Sequence, residues 1–433
     1  MESIVLVIVF FILLLTGFPI GFVMLTASLS YFATAWLTGN LIYPVTTIAR
    51  VLAQSLDSFT LIAIPLFVLA GHLMNEGGVT RRIFEVAKVF VGHIRGGLGL
   101  VNILASMIFA GISGSAAADA GGLGPIEMKA MMDAGYEKNF SAAVTAASAV
   151  IGPIFPPSVL LILYGITAEV SIAALFLAGI VPGILIGLFE MFLVNILART
   201  GKVECPIMPK ASFADFLRAS KDGILALLAP IIILTGFISG LFTPTEAGSV
   251  AAGYAMFLGL VVYQEMGIQG FLNGLRATMV ISAEILFFIA ASAVLGRLLT
   301  MEQVPQMLAA WIISITESKI IVILLINLFL LILGCFMSGT AGIVLVTPLL
   351  LPLARLVGID LVHFGIIVAF NLVIGGLTPP VGSLLFILSK IAKVDLSKLI
   401  VSLVPFYVIL IFLLLIISYW PEVTLFLPRL ILG

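Results

Sequence analysis

Two short segments of this chain put unbonded oxygens where a membrane span has none to spare. Gly152-Pro153-Ile154-Phe155-Pro156-Pro157-Ser158 and Gly375-Gly376-Leu377-Thr378-Pro379-Pro380-Val381-Gly382-Ser383 each lie inside an apolar stretch of spanning length. A proline removes a backbone donor and clashes with the preceding turn, so neither stretch can be continuous helix. Breaking a helix at membrane depth frees carbonyl and N–H groups that cost several kcal/mol each unless satisfied. A bound ion and a bound substrate can satisfy them. Ser113-Gly114-Ser115 and Ser338-Gly339-Thr340 place hydroxyls and bare backbone in the middle of two further apolar regions, 96–130 and 320–357.

The oxygens near these breaks define the ion they suit. They are carbonyls and the hydroxyls of Ser113, Ser115, Thr145, Ser148, Ser158, Ser338, Thr340, Thr378 and Ser383, with no His, Cys or paired carboxylate among them. Soft and divalent metals want those missing groups. Neutral oxygens suit a hard monovalent cation, so Na⁺ is the natural candidate. Proton coupling wants a titratable group near the midplane. Asp119, close to the first tip, is the one candidate, and its counterpart in the second half is apolar, Gly342 or Val344. It reads as structural, bonding hairpin N–H groups. No arginine stands at either tip or either Pro-Pro loop. An anionic substrate would be met by bound cations and by half-helix N-termini, whose dipoles favour carboxylate.

The breakers repeat. Ser113-Gly114-Ser115 is answered by Ser338-Gly339-Thr340, Pro19 by Pro244 and Gly71-x-Leu73 by Gly296-x-Leu298, each 225 residues on. Pro125 is answered by Pro348 and Pro156-Pro157 by Pro379-Pro380, each 223 residues on. Matched Gly/Pro interruptions in two halves of a membrane protein point to a transporter's binding site.

The elements that must hold these residues are spans. The chain has 433 residues, 62% hydrophobic and 9% charged, against about 25% charged in a soluble domain, so it is an integral membrane protein embedded in a lipid bilayer. A net charge of −1 gives no basis for nucleic-acid binding. Cys205 and Cys335 sit in unlike contexts and make no disulfide scaffold. Met1-Glu2-Ser3 lacks a basic leader, so the first apolar run reads as a span. Spans of about 20 apolar residues are expected at 2–16, 20–36, 46–75, 140–168, 171–198, 224–241, 245–263, 275–300, 361–390 and 399–425. The regions 96–130 and 320–357, broken at the Ser-Gly tips, are either double spans or re-entrant hairpins. Polar Ser113, Gly114, Ser115 and Asp119 favour hairpins, because lipid would not tolerate them. The fold class is therefore an all-α polytopic membrane protein of two inverted-topology repeats, with ten to eleven transmembrane helices and two re-entrant hairpins.

Lys and Arg bias sets orientation. Arg81, Arg82, Lys88 and Arg95, then Arg199, Lys202, Lys210, Arg218 and Lys221, then Lys390, Lys393 and Lys398 mark cytoplasmic connections, while the 37–45 loop has no charge. Both chain ends then face the periplasm. Segments 79–94 and 303–318 read as interfacial arms. His72 and Arg297 read as interface anchors at span ends. Gly179-x-x-x-Gly183-x-x-x-Gly187 is a ridge for close helix packing. Gly121-Gly122-Leu123-Gly124 follows no strand, and no G-x-x-x-x-G-K-[ST] motif is present, so ATP hydrolysis by that route is excluded.

Several of these segments resemble one family. Gly240-Leu241-Phe242-Thr243-Pro244-Thr245-Glu246-Ala247-Gly248-Ser249-Val250-Ala251-Ala252 is similar to a signature of the large membrane (M, DctM-like) subunit of tripartite ATP-independent periplasmic (TRAP) transporters. So are Gly111-Ile112-Ser113-Gly114-Ser115-Ala116-Ala117-Ala118-Asp119, Ile154-Phe155-Pro156-Pro157-Ser158 and Gly376-Leu377-Thr378-Pro379-Pro380-Val381-Gly382. One departure is Gly248, where the signature more often has Ala. The resemblance spans essentially the whole chain and leans toward the sialic-acid type.

The resemblance implies a non-enzymatic, Na⁺-coupled importer of organic acid anions, sialic acid or C4-dicarboxylate, in the bacterial inner membrane. It implies an elevator mechanism, a small four-helix membrane subunit as partner, and a periplasmic substrate-binding protein that delivers the substrate. Carried over by position, one Na⁺ would lie among Ser113, Ser115, Gly152 and Ser158. A second would lie among Ser338, Gly339, Thr340, Gly375, Gly376, Thr378 and Gly382. Substrate would sit between Ser113-Gly114-Ser115 and Ser338-Gly339-Thr340, beside Pro156, Pro157, Pro379 and Pro380. Glu246 falls in the scaffold pattern. The expected division is 1–95 as scaffold helices and arm, 96–200 as first hairpin and transport helices, and 201–222 as a cytoplasmic connection. The second half follows with 223–319 as scaffold and arm and 320–433 as second hairpin and transport helices. The competing readings are a stand-alone ion or proton antiporter and an intramembrane enzyme. Against the latter, His72, His93 and His363 pair with no evident Ser or Cys nucleophile.

Overall fold

The computed structural model describes residues 2–39, 44–206 and 208–433; the uncharged 37–45 loop lies partly outside them. The first half opens with α1 (Glu2–Leu15), α2 (Ile20–Leu37), α3 (Thr46–Leu56), α4 (Ala63–Glu76) and α5 (Val79–Val91). Its hairpin follows: α6 (Gly97–Ser113), α7 (Ala116–Ala118), a π-helical turn over Asp119–Leu123, and α8 (Gly124–Asp133). Then come α9 (Lys138–Ser148), α10 (Val159–Ala168) and α11 (Ile172–Arg199). The second half runs α12 (Phe213–Ile238), α13 (Pro244–Phe257), α14 (Ile268–Met301), α15 (Val304–Ile315), α16 (Lys319–Phe336), α17 (Gly339–Leu356), α18 (Leu361–Gly376), α19 (Ser383–Ala392), α20 (Leu396–Tyr419) and α21 (Glu422–Leu432). Among the described residues there is no strand, and nine helices are long and apolar enough to cross a bilayer. Phe192, Leu328 and Val408, each more than half exposed, show the lipid-facing surface.

The halves correspond element by element: α1 with α12, α2 with α13, α4 with α14, α5 with α15, the two hairpins, α9–α10 with α18–α19, and α11 with α20. Both Pro-Pro loops interrupt their spans as expected, α9 stopping at Ser148 and α18 at Gly376. The expected arms are α5 and α15.

Two expected spans are corrected. The stretch 46–75 is not one helix, because α3 ends at Leu56 and α4 begins at Ala63. Arg50, Gln54 and Ser55 give α3 a polar face, and it buries no residue; a lipid-facing span cannot carry that face. Its second-half counterpart lacks the interruption and runs unbroken as α14. The stretch 399–425 also breaks. Helix α20 ends at Tyr419, Pro421 opens α21, and α21 packs along α11. His363 pins this fold-back, with Nδ1 at 2.8 Å from Thr424 Oγ1 and Nε2 at 3.3 Å from the Ser418 carbonyl.

The tips sit beside the loops that break the spans. Gly114, at φ +60°, accepts a bond at its carbonyl from Val159 N–H at 3.2 Å. In the second half Gly382 N–H donates to the Cys335 carbonyl at 2.9 Å. A tip level with a mid-span break is re-entrant, which decides between hairpins and double spans. Each half then crosses five times, an odd number, so the second half starts from the opposite face.

A polar clamp also repeats. Ser148 Oγ donates to Asn102 Oδ1 at 2.8 Å, and Asn371 Nδ2 donates to Asn327 Oδ1 at 2.8 Å. Asn327 lies 225 residues after Asn102 and Asn371 lies 223 after Ser148, the two offsets of the Gly/Pro anchors. Buried amide and hydroxyl groups must be bonded, so each clamp fixes a hairpin arm to the helix entering the Pro-Pro loop.

Candidate functional site

Both tips and both interrupted spans open onto one cavity of about 600 Å³. Ser113, Gly114 and Ser115 line it from the first hairpin, and Ser338, Gly339 and Thr340 from the second. Pro153 comes from the first loop, and Gly376 and Ser383 from the second. Pro156, Pro157, Gly152, Ser158, Gly375, Thr378, Pro379, Pro380 and Gly382 are not on its wall; they stand behind it and shape it.

Hydrogen bonds hold the oxygens of the loops and tips in place. Ser158 Oγ donates to the Pro153 carbonyl at 2.5 Å and accepts from Leu161 N–H at 3.2 Å, capping α10. Thr378 Oγ1 donates back to the Ile374 carbonyl at 2.7 Å. Ser338 and Thr340 hydroxyls are 3.2 Å apart, so that tip keeps acceptor lone pairs toward the cavity. The Leu377 carbonyl accepts from Tyr407 Oη at 2.7 Å, fixing the second loop to α20.

Asp119 departs from its structural expectation. It is 2% exposed; Ser113 Oγ–H donates to its Oδ1, while its Oδ2 has no partner among the described residues. It bonds a hydroxyl, and its free oxygen faces Gly152, where a Cβ would collide with it. An unpaired buried carboxylate costs several kcal/mol, and Asp119 Oδ2 is the one such oxygen beside a hairpin tip and a broken span among the described residues. The expected lack of a second carboxylate is also corrected. Glu127 on α8 is 1% exposed and accepts from Ser106 Oγ at 3.5 Å. Among the described residues no cation pairs with either. In sequence the two are eight residues apart; the π-helical turn between them brings both inward.

One part of the wall was not anticipated. His72 and Asn75 of α4 and Glu284 of α14 line the cavity. His72 is thus no interface anchor, whereas Arg297 is exposed and off the cavity. Glu284 carried a legible signal, an acid deep inside an apolar span, where a charge is expensive unless it faces an aqueous cavity.

The glycine ridge on α11 serves the site. A Cβ at Gly179 would strike the Ile154 carbonyl, and one at Gly183 would lie 2.9 Å from Phe155 Cδ2. Helix α11 is therefore the bed on which the first broken loop rests. Gly179→Ala is expected to shift that loop, destabilising the protein by about 1–3 kcal/mol and cutting transport more than tenfold. Melting temperature and uptake on one preparation check this; full uptake would show that the loop does not depend on α11.

Paired hairpin tips and paired broken spans around one cavity define a membrane transport protein built from two equivalent halves. This chain belongs to the family described as tripartite ATP-independent periplasmic transporter, DctM component, whose profile matches residues 7–423. It is 44% identical over 421 residues to "Sialic acid TRAP transporter large permease protein SiaM" of Vibrio cholerae, covering 97% of each chain. It is 40% identical to "Sialic acid TRAP transporter permease protein SiaT" of Haemophilus influenzae, covering 98% of this chain and 68% of that one. To "C4-dicarboxylate TRAP transporter large permease protein DctM" of Pseudomonas aeruginosa it is 39% identical, covering 89% and 90%. In three dimensions it is similar to the Alcanivorax borkumensis YdaH transporter, with a TM-score of 0.65 at 16% identity, covering 88% of this chain and 90% of that one; that likeness concerns the fold. The chain is thus a multi-pass inner-membrane transport protein and not an enzyme.

Proposed function

We propose that this subunit moves an organic acid anion of the sialic-acid or C4-dicarboxylate class across the inner membrane, coupled to Na⁺. In this reading a periplasmic binding protein delivers the substrate and a small four-helix membrane subunit completes the assembly. The observation that carries it is the convergence of both tips and both broken spans on one cavity. The relatives' names, sialic acid and C4-dicarboxylate permeases, supply the substrate classes.

The residues fit Na⁺. At the first site Asp119 Oδ2 is an orphaned, buried carboxyl oxygen beside Gly152, with Ser113 and Ser115 adjacent and Ser158 in the same loop. Hard monovalent cations take such oxygens. The second set, Ser338, Gly339, Thr340, Gly375, Gly376, Thr378 and Gly382, contributes neutral oxygens alone. A bound cation would supply the positive charge that the tips lack. The chain's own part is to hold those oxygens rigid through the Asn102–Ser148 and Asn327–Asn371 clamps. The N-terminal residues of α17 and α19 also line the cavity, and their unpaired N–H groups favour a carboxylate.

An elevator motion suits this arrangement. Segments 96–200 and 320–433, carrying the tips and broken spans, would move against a scaffold of 1–95 and 223–319. Helices α13 and α14 of that scaffold both pack on α4. The test uses liposomes holding the full assembly, with a Na⁺ gradient alone and then a pH gradient alone. Uptake on the Na⁺ gradient is expected; full uptake on the pH gradient without Na⁺ would transfer the coupling to Asp119 and Glu127 as proton carriers.

A further inference from the structure

The cavity's two walls differ in chemistry. The hairpin side offers hydroxyls and helix N-termini and bears no charge on its surface. The scaffold side, from α4 and α14, carries Glu284, Asn75 and His72. Glu284 and Asn75 make no hydrogen bond or ion pair among the described residues. Glu284 is exposed toward this space and is its one acid. Most of the remaining lining is apolar, from Val68, Phe109, Leu160, Ile281, Leu372 and their neighbours. A carboxylate with free lone pairs, set in an otherwise apolar wall, recognises hydrogen-bond donors and rejects a second anion.

We infer that Glu284, with Asn75 and His72, forms a donor-selecting subsite on the α4–α14 side of the cavity, so that the cavity accepts a monocarboxylic acid whose far end carries hydroxyl, amide N–H or ammonium groups, and excludes dicarboxylates. This rests on the reading of the cavity as the substrate site. Size agrees. About 600 Å³ falls within the roughly 300–1,000 Å³ of sites for drug-sized ligands, and a four-carbon diacid would leave much of it empty. A diacid with one carboxylate at the tips would have to share the same cavity with the Glu284 carboxylate. Of the two classes named for its relatives, sialic acid has the required chemistry and succinate does not.

The experiment measures thermal stabilisation of the purified full chain in saturating Na⁺, titrated separately with sialic acid and succinate. The parent is expected to bind sialic acid at least tenfold more tightly than succinate. Glu284→Gln should narrow that ratio by about tenfold, weakening the first and strengthening the second, and Glu284→Asp should restore it. Asn75→Asp, which adds a charge to the same wall, should move the succinate response the opposite way. It gives an independent readout should Glu284→Gln not fold. Binding of both acids with a ratio that none of these changes alters overturns the subsite alone. Binding of neither acid by the parent overturns the reading of the cavity itself.

Discussion

Replacing Pro379-Pro380 by Ala-Ala is expected to give a chain that inserts as well as its parent yet transports at background level. Alanine restores two backbone donors and removes the ring clash, and proline costs about 3 kcal/mol inside a helix. Segments α18 and α19 could then close toward one helix from Leu361 to Ala392. That closure would turn the carbonyls of 375–378 back into the ladder. It would also pull Gly382 from the Cys335 carbonyl and carry Gly376 and Ser383 off the cavity wall. The same change at Pro156-Pro157 should join α9 to α10 and break the bond between Val159 and the Gly114 carbonyl. Pro405, inside α20 and away from the cavity, is the control. Pro405→Ala should keep uptake within about twofold, since a proline that merely bends a helix can be replaced without moving a site. Membrane-inserted yield, melting temperature and Na⁺-driven uptake, measured on one preparation, decide the matter. Near-normal uptake by either Ala-Ala variant would show that the site lies elsewhere.

Asp119→Asn is expected to abolish Na⁺ stimulation while leaving the Na⁺-free protein at least as stable. The amide still accepts from Ser113 at its oxygen, so the tip keeps that bond. What disappears is a buried carboxyl group that no protein cation pairs with. Without Na⁺ such a group is costly to ionise where it stands, and replacing it cannot destabilise by a lost ion pair. With Na⁺, the variant lacks one partner of a buried ion pair, a loss of about 3–5 kcal/mol, or roughly 100-fold or more in Na⁺ affinity. The measurements are the Na⁺ concentration for half-maximal uptake and the rise in melting temperature with Na⁺. An unchanged Na⁺ response would remove Asp119 from the ion site. Glu127→Gln distinguishes the neighbouring acid: it should leave the Na⁺ response within about threefold, because Glu127 neither touches Gly152 nor lines the cavity.

What the sequence decides by itself is where the backbone breaks. Proline and glycine act on their own turn, so Pro156-Pro157, Pro379-Pro380 and the Ser-Gly tips could be placed without knowing a single tertiary contact. Their spacing revealed the two halves, and composition forced the chain into the bilayer. The expected continuity of 46–75 and 399–425 failed for a local reason too: apolar counting outweighed the polar face of α3 and the Trp420-Pro421 break. Ser158 and Thr378 are ligands by type, and their hydroxyls donate to the nearby Pro153 and Ile374 carbonyls while keeping lone pairs. Tertiary structure alone decided which polar groups stand without a partner. Asp119 looked structural, and the fold left one of its oxygens unbonded. Glu284, Asn75 and His72 became a wall because α4 and α14 pack together and face the hairpins. A hydrogen bond or a burial depends on the group that arrives from elsewhere in the chain, and no local rule of residue type carries that information.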